Sequence, residues 1–283
     1  MIQIKYVFSG HESFPCKSLW LKKGYDFVAK DYMFSASDAV VRLGVGKNMV
    51  ASIRYWLKAF GVTGSQGCLT DLGRYIFDSE TGRDPFIEDL ATLWILHFHL
   101  VCNYEATLYN WLFLDMQKER RTFDKENVVS YVKRRLTEVG KLNLFNQNTV
   151  KKDIGVLLQS YVLPRKPKAF DDYSTLLIDL DLIRTEADGK SYVFNQEGKR
   201  QVPWQVFLYA IMTIKGKDNT VAYDQLQEVG LIFCMSDIEV IEMCKTIETM
   251  HPNDIRYSDT AGLRQLQFVN NLTAENILNE YYG

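Results

Sequence analysis

The chain has 283 residues, with 33 Lys and Arg against 35 Asp and Glu, and it is 47% hydrophobic and 13% aromatic. A disordered chain lacks the apolar residues that offset the entropy of ordering, so these figures exclude one. The length suits roughly two or three domains, or one large helical body with small modules attached. A net charge of −2 speaks against attraction of nucleic acid over the whole surface. The charge is unevenly spread, however: +3 over residues 1–80, −4 over 81–116, +8 over 117–168 and −9 over 169–283. The basic stretch Lys118 to Lys168 is either a polyanion-facing region or a solvated helical surface paired with the acidic C-terminal third.

The N-terminus, Met1-Ile2-Gln3-Ile4-Lys5, carries no apolar core and no small-residue cleavage site, so no secretory signal is expected. Phe8 to Pro15 reads as an irregular lead-in, followed by a short helix over Ser18 to Val28. Ser37 can cap a helix through Asp38 to Leu43 that stops at Gly44. After Val45-Gly46 a longer helix over Lys47 to Phe60 places Val50, Ile53, Trp56, Leu57 and Phe60 on one face and stops at Gly61. A short helix, a glycine turn and a longer helix are the parts of a helix-turn-helix. Val62 to Leu69, with Gly64 and Gly67, reads as a small hairpin, and Thr70 caps a helix over Asp71 to Phe77. That order predicts a winged helix.

Residues 85–116 read as an apolar, aromatic-rich helical centre started by Asp84-Pro85. His97, His99, Asn103, Glu105 and Asn110 interrupt its longest apolar run, which is therefore no membrane span. Two amphipathic helices follow, Asp124 to Glu138 and Gln147 to Tyr161, and Leu163 to Lys168, with two prolines among basic residues, is the linker candidate. Beyond it, Leu176 to Arg184 and Ser191 to Asn195 flank Asp188-Gly189, a hairpin signal. Helices over Trp204 to Ile214, Val221 to Val229 and Ser236 to Met250, a β-pair across Ile255 to Val269 and a last helix over Thr273 to Tyr282 again follow winged-helix order. The predicted fold class is mainly α, with N-terminal and C-terminal winged-helix-like modules and small β-hairpins. Its divisions are 1–82, 83–163 and 169–283.

Four constellations could carry chemistry. Lys47 and Asn48 open the second helix of the helix-turn-helix, with Arg54 and Lys58 further along one face. In this motif the start of the second helix meets the major groove, where Asn pairs with adenine and Lys or Arg with guanine or phosphate. Protein contact is the alternative use of the same shape. Gly10-His11-Glu12 could ligate a divalent cation through Glu12, since Mg²⁺ prefers carboxylate oxygen; Glu12 as a cap and His11 as a hydrogen-bonded structural residue is the alternative. Asp84, Glu88 and Asp89 could bind metal or complement a helix dipole. Asp179 and Asp181 would converge if their segment is a strand and diverge if it is helical. His97, on a strongly apolar helix, reads as a satisfied core histidine. Five cysteines without a CxxC pair exclude a zinc ribbon and point to reduced thiols. Composition and motifs alone favour a DNA-binding or interaction protein over an enzyme.

The N-terminal third also resembles a known family. Phe8-Ser9-Gly10-His11-Glu12-Ser13-Phe14, Trp20-Leu21-Lys22-Lys23-Gly24, Asp38 to Val50, Ile53-Arg54-Tyr55-Trp56 and Leu69-Thr70-Asp71-Leu72-Gly73 are similar to a bacterial domain-of-unknown-function family. Its genes lie beside phosphoadenosine-phosphosulfate-reductase-like genes in DNA phosphorothioation and phage-defence clusters, and its members include a DNA-nicking subunit. The resemblance covers about the first hundred residues, through His97. It implies a cytoplasmic DNA-binding component of a sulfur-modification system, acting as a Mg²⁺-dependent nicking endonuclease before sulfur insertion, or else as a non-catalytic regulator or scaffold. The implied partners are DNA, a reductase-like subunit and an ATPase, with a homodimer left open and no membrane. On that reading His11 and Glu12 form the hydrolytic centre, Glu12 holds the metal, and Lys47, Asn48, Arg54 and Lys58 face DNA.

Overall fold

The computed structural model describes residues 5–164, 174–198, 201–260 and 263–283. Apolar spacing sets its first elements. Helix α1 (Trp20–Ala29) buries Trp20, Leu21, Tyr25 and Phe27. The short α2 (Ala39–Leu43) ends where Gly44 turns left-handed at φ +61°, a conformation glycine reaches without a Cβ penalty. After Val45 and Gly46 the chain enters α3 (Lys47–Ala59), which buries Val50, Ile53, Trp56 and Leu57. Gly24 on α1 faces α3, and a Cβ there would run into Ile53 and Leu57, so the glycine sets how closely the two helices pack. Residues 62–69 form a tight return joined by the Thr63–Leu69 bridge. The Thr70 hydroxyl, 3.0 Å from the Gly73 amide, then caps α4 (Asp71–Phe77) as its sequence predicts.

The apolar segment expected to start at Asp84-Pro85 starts later and is not one helix. α5 (Leu90–Cys102) is capped by Asp89 and buried on all sides from Ala91 to Phe98. The chain then breaks at Asn103 to Ala106, with Tyr104 left-handed at φ +59°. The break has a chemical cause: the Asn103 amide donates to the Lys58 and Ala59 carbonyls at the end of α3, and its oxygen accepts from the Glu105 amide. Asn103 thus spends its side chain capping a neighbouring helix instead of continuing its own. The helical path resumes as α6 (Thr107–Asn110), a π-helical stretch Trp111–Met116 and α7 (Gln117–Glu119). After β1 (Thr122–Phe123), Asp124 and Asn127 close a capping box on α8 (Lys125–Glu138). α9 (Gln147–Tyr161) spans the predicted residues.

The stretch Leu176 to Arg184, expected as a strand, is one only at its end. Ile178–Leu180 is a 3₁₀ turn, Asp181 is left-handed at φ +47°, and β2 is Ile183–Thr185. β3 (Tyr192–Phe194) pairs antiparallel with both β2 and β1, giving the order β1-β3-β2. That sheet ties residues 174–195 to the N-terminal unit, which spans residues 1–195. The predicted linker residues 165–168 lie outside the described residues.

The second unit spans residues 196–283. α10 (Trp204–Lys215) leads into β4 (Thr220–Ala222), which the sequence pattern missed because its three residues run straight into α11 (Tyr223–Ile232). α12 (Asp237–Met250) carries a full capping box from Ser236 and Glu239. β5 (Ile255–Thr260) and β6 (Leu263–Phe268) form the expected hairpin, β4 joins its β6 edge to give the order β4-β6-β5, and α13 (Ala274–Tyr282) closes the chain. The protein is mainly helical with small antiparallel sheets. Among the described residues no helix is long and apolar enough to cross a membrane.

Candidate nucleic-acid interface

The outward side of α3 is a polar stripe. Lys47, Asn48, Ala51 and Arg54 are exposed and Lys58 is half-buried, following the three- and four-residue spacing that keeps side chains on one helix face. These residues line a groove of about 770 Å³ together with Ala39 and Val40 of α2, Gly64, Ser65 and Gly67 of the return after α3, and Glu12. The predicted carboxylate and the four predicted DNA-facing residues thus share one concavity, although 35 residues separate Glu12 from Lys47. Lys5, Lys47, Arg54 and Lys58 set four cations in its lining against Glu12 and Glu105. Lys58 pairs with Glu105 at 3.0 Å. Among the described residues no carboxylate forms an ion pair with Lys47 or Arg54, so their charge is turned to the groove.

Residues 9–14 form two tight turns, with Ser9, Glu12 and Ser13 all left-handed at φ between +50° and +66°. Non-glycine residues in that region cost of order 1–3 kcal/mol each and persist only where surroundings hold them. The holding group is Asp153 of α9, which accepts the Ser9 amide at 2.9 and 3.1 Å and the His11 Nε2–H at 3.1 Å. The Ser13 amide donates to His11 Nδ1 at 3.1 Å. A backbone N–H only donates, so Nδ1 is the acceptor, the ring proton sits on Nε2, and both nitrogens are engaged. The ring is 3% exposed and stacks on Trp56 at 15° between planes. His11 is buried behind the turn, while Glu12, the next residue, is exposed on the groove. Gly10 is required here because a Cβ would strike the Tyr55 ring. Burial, with Tyr109, Asp153 and Glu105 adding to it, pushes the Tyr55 phenol well above its ordinary pKa and keeps it protonated.

The other carboxylates have structural partners. Asp84 accepts the Glu88 and Asp89 amides at 2.8 and 3.0 Å and the Thr92 hydroxyl at 2.6 Å, which stitches the turn before α5. Asp181 binds Arg184 and the Asn195 amide nitrogen, while Asp179 is exposed on the 3₁₀ turn; they do not share the strand face that convergence requires. His97 Nδ1 lies 2.8 Å from the Tyr161 hydroxyl in the core, as read from the sequence. Among the described residues no group of three or more His, Cys, Asp or Glu is placed to hold a metal ion. In the basic stretch after residue 117, Arg134 pairs with Glu119, Arg135 with Asp115 and Glu138, and Lys151 with Glu126.

Sequence reasoning missed Asp153, Asn103 and Glu105. A signal for Asp153 was present: it lies between Val150 and Leu157 on the buried face of an amphipathic helix, where a lone acid needs a partner. Nothing in the spacing of Asn103 and Glu105 announces their contacts with α3, because these depend on where α5 breaks.

A family model described as "Protein of unknown function (DUF4007)" matches residues 8–282. The chain belongs to this family. Among solved structures, the DUF4007 chain superposes on a magnesium-ion-bound SspB crystal structure with a TM-score of 0.86 at 24% identity, covering 98% of this chain and 88% of that one. A second SspB crystal structure gives 0.86 at 23% identity with the same coverage. These likenesses show a shared fold. No curated protein matches the DUF4007 chain.

Proposed function

We propose that this protein is the DNA-binding component of a bacterial DNA phosphorothioation defence system, and that it nicks DNA before sulfur is inserted. Residues 35–77 act as a winged helix-turn-helix: α3 is the reading helix and the return at 62–69 is the wing. The observation that carries the reading is the single groove that gathers Glu12 with Lys47, Asn48, Arg54 and Lys58. Lys47 and Asn48 stand at the N-terminal end of α3, the part of a reading helix that reaches base edges. Arg54 and Lys58 follow the same face toward the phosphates. The resemblance of the first hundred residues to phosphorothioation-cluster proteins supplies the cellular context. It also supplies the expected partners, a reductase-like subunit and an ATPase in the cytoplasm.

The residues suit Mg²⁺ in one specific way. A lone exposed carboxylate such as Glu12 matches an ion that keeps its waters and is completed by substrate phosphate, not an all-protein cage. When bound there, Mg²⁺ would supply Lewis-acid polarisation of the phosphate and a more acidic water. Glu12 would hold it, and Lys47 and Arg54 would neutralise charge developing on the phosphoryl oxygens. His11 acts as a positioning residue: with Nδ1 and Nε2 both engaged it keeps the left-handed turn that turns Glu12 outward. The same engagement leaves no free imidazole base in the segment, and this favours the second reading, a non-catalytic DNA-binding regulator or scaffold of the same system.

Relaxation of supercoiled plasmid by the full chain, with and without Mg²⁺, separates the two. The nickase reading expects Mg²⁺-dependent relaxation that Glu12→Ala abolishes. Relaxation persisting in Glu12→Ala removes that residue from the mechanism, and no relaxation by the wild type favours the regulator.

A further inference from the structure

In the C-terminal unit a helix (α10) is followed by two helices joined by a turn (α11 and α12) and a hairpin (β5 and β6), and the charge of its third helix is opposite to that of α3. α3 carries Lys47, Arg54 and Lys58 and no acid, a net +3, whereas α12 carries Asp237, Glu239, Glu242 and Glu248 against Lys245, a net −3. A phosphate backbone or an anionic membrane would be repelled from α12 at the position where it is drawn to α3.

The same face is also apolar. Between the start of α10 and α12 lies a groove of about 520 Å³ walled by Val202, Pro203, Trp204, Met235 and Met243 and rimmed by Glu239 and Glu242. Glu239 is committed to the Ser236 cap, but Glu242 is exposed and has no ion-pair partner among the described residues. Two apolar side chains flank the groove in the open, Ile238 at 69% and Met250 at 54% exposure. Solvent-facing apolar residues beside a concavity mark an interaction surface, and methionine adapts its shape to what it meets.

We infer that this face of α10 and α12 is the docking site for a Lys/Arg-rich amphipathic helix of a partner protein. The apolar side of that helix lies in the groove against Trp204 and Met243, and its cations meet Glu242 on the rim. A hydrophobic groove alone would not choose its ligand; the exposed Glu242 carboxylate on its rim, on a helix of net charge −3, selects a basic one. This assignment does not depend on whether α3 meets DNA.

The test uses the full chain and a fluorescent model peptide of Leu and Lys, about five helical turns long, with Lys on one face. A Leu/Glu peptide of the same pattern is the control. The expected result is saturable binding of the Leu/Lys peptide alone, weakened about tenfold or more by Glu242→Lys and by Met243→Ser, with both variants keeping wild-type DNA affinity. Peptide binding unchanged in both variants, or equal binding of the Leu/Glu peptide, overturns the proposal. So does loss of DNA affinity in Glu242→Lys, which would make α12 a DNA surface. A dimer of the wild type that Glu242→Lys dissociates would overturn it too, by making the occupant a second copy of the chain.

Discussion

The N-terminal helices α1 to α3 and the C-terminal helices α10 to α12 are two runs of three helices, and they differ most in what the third helix of each run exposes. In the N-terminal unit that helix is cationic, capped at its C-terminus by Asn103, and bordered by a turn that Asp153 holds in a left-handed conformation. In the C-terminal unit it is acidic, with Met235 and Met243 lining the groove beside it. A packed scaffold therefore fixes the position of a surface, and a handful of exposed charges decide what can approach it. The N-terminal surface also carries the stranger backbone: four non-glycine residues between Ser9 and Asp31 are left-handed, three of them within residues 9–13. In the second unit Cys234 alone among the described non-glycine residues has a positive φ. The cost of the N-terminal turn is offset by the bonds to Asp153, so the contrast can be broken at that residue.

The largest expected effect follows from there. Asp153→Ala leaves the buried His11 Nε2–H without an acceptor and removes the bonds that the Ser9 amide donates to the carboxylate. An orphaned buried donor costs about 1–3 kcal/mol, and hydrogen bonds to a charged group contribute about 1.5–3 kcal/mol. At roughly 2–4 °C per kcal/mol the thermal midpoint of the full chain should fall by about 5 °C or more. Exposed Glu242→Lys on α12 should move it by less than about 2 °C. Equal shifts in the two variants would remove the distinction between a built N-terminal turn and an ordinary C-terminal surface.

Next in size, Arg54→Gln should weaken duplex DNA binding about equally across sequences without changing stability, because Arg54 is exposed and forms no ion pair among the described residues. Glu242→Gln, measured in the same titration, should leave the affinity alone. Loss of affinity in the second and not the first would invert the assignment of the two helices.

The smallest effect is a pH dependence that belongs to the N-terminal unit. Burial lowers the His99 pKa to about 4. The ring sits beside Gly61, where α3 turns into the following return. The unfolded histidine titrates near about 6.5, so between these values the unfolded chain binds the extra proton. The stabilisation is complete above about 6.5 and falls by about 1.4 kcal/mol per pH unit as the pH drops toward 4. Urea midpoints at pH 7.0 and 5.5 should differ accordingly in the wild type and converge in His99→Gln. An unchanged slope in that variant would assign the acid sensitivity to other groups.

Much of this was legible in the residues. Glycines after short apolar runs marked the ends of α2 and α3, Thr70 and Asp124 marked helix starts, and α9 follows its predicted bounds, because caps and 3.6-residue periodicity are local effects. Segments whose shape is set at long range were not legible. The break after Cys102 exists because Asn103 caps α3, Leu176 to Leu180 turns instead of extending because Asp181 takes up Arg184 and Asn195, and β4 forms only when β6 arrives beside it. At the candidate site the motif Gly10-His11-Glu12 could be picked out, but its division of labour could not. Only Asp153, 142 positions away from His11, makes the histidine a buried strut and leaves the glutamate facing the groove.

The central claim is that the α3 stripe meets the phosphates of DNA, and its most direct test is the salt dependence of duplex affinity, followed by fluorescence anisotropy. Each phosphate contact contributes about 0.9 to the slope of log K against log salt. The variant Arg54→Gln is therefore predicted to lower the wild-type slope by about 0.9. A slope equal to that of the wild type would contradict the claim and place the DNA elsewhere on the protein.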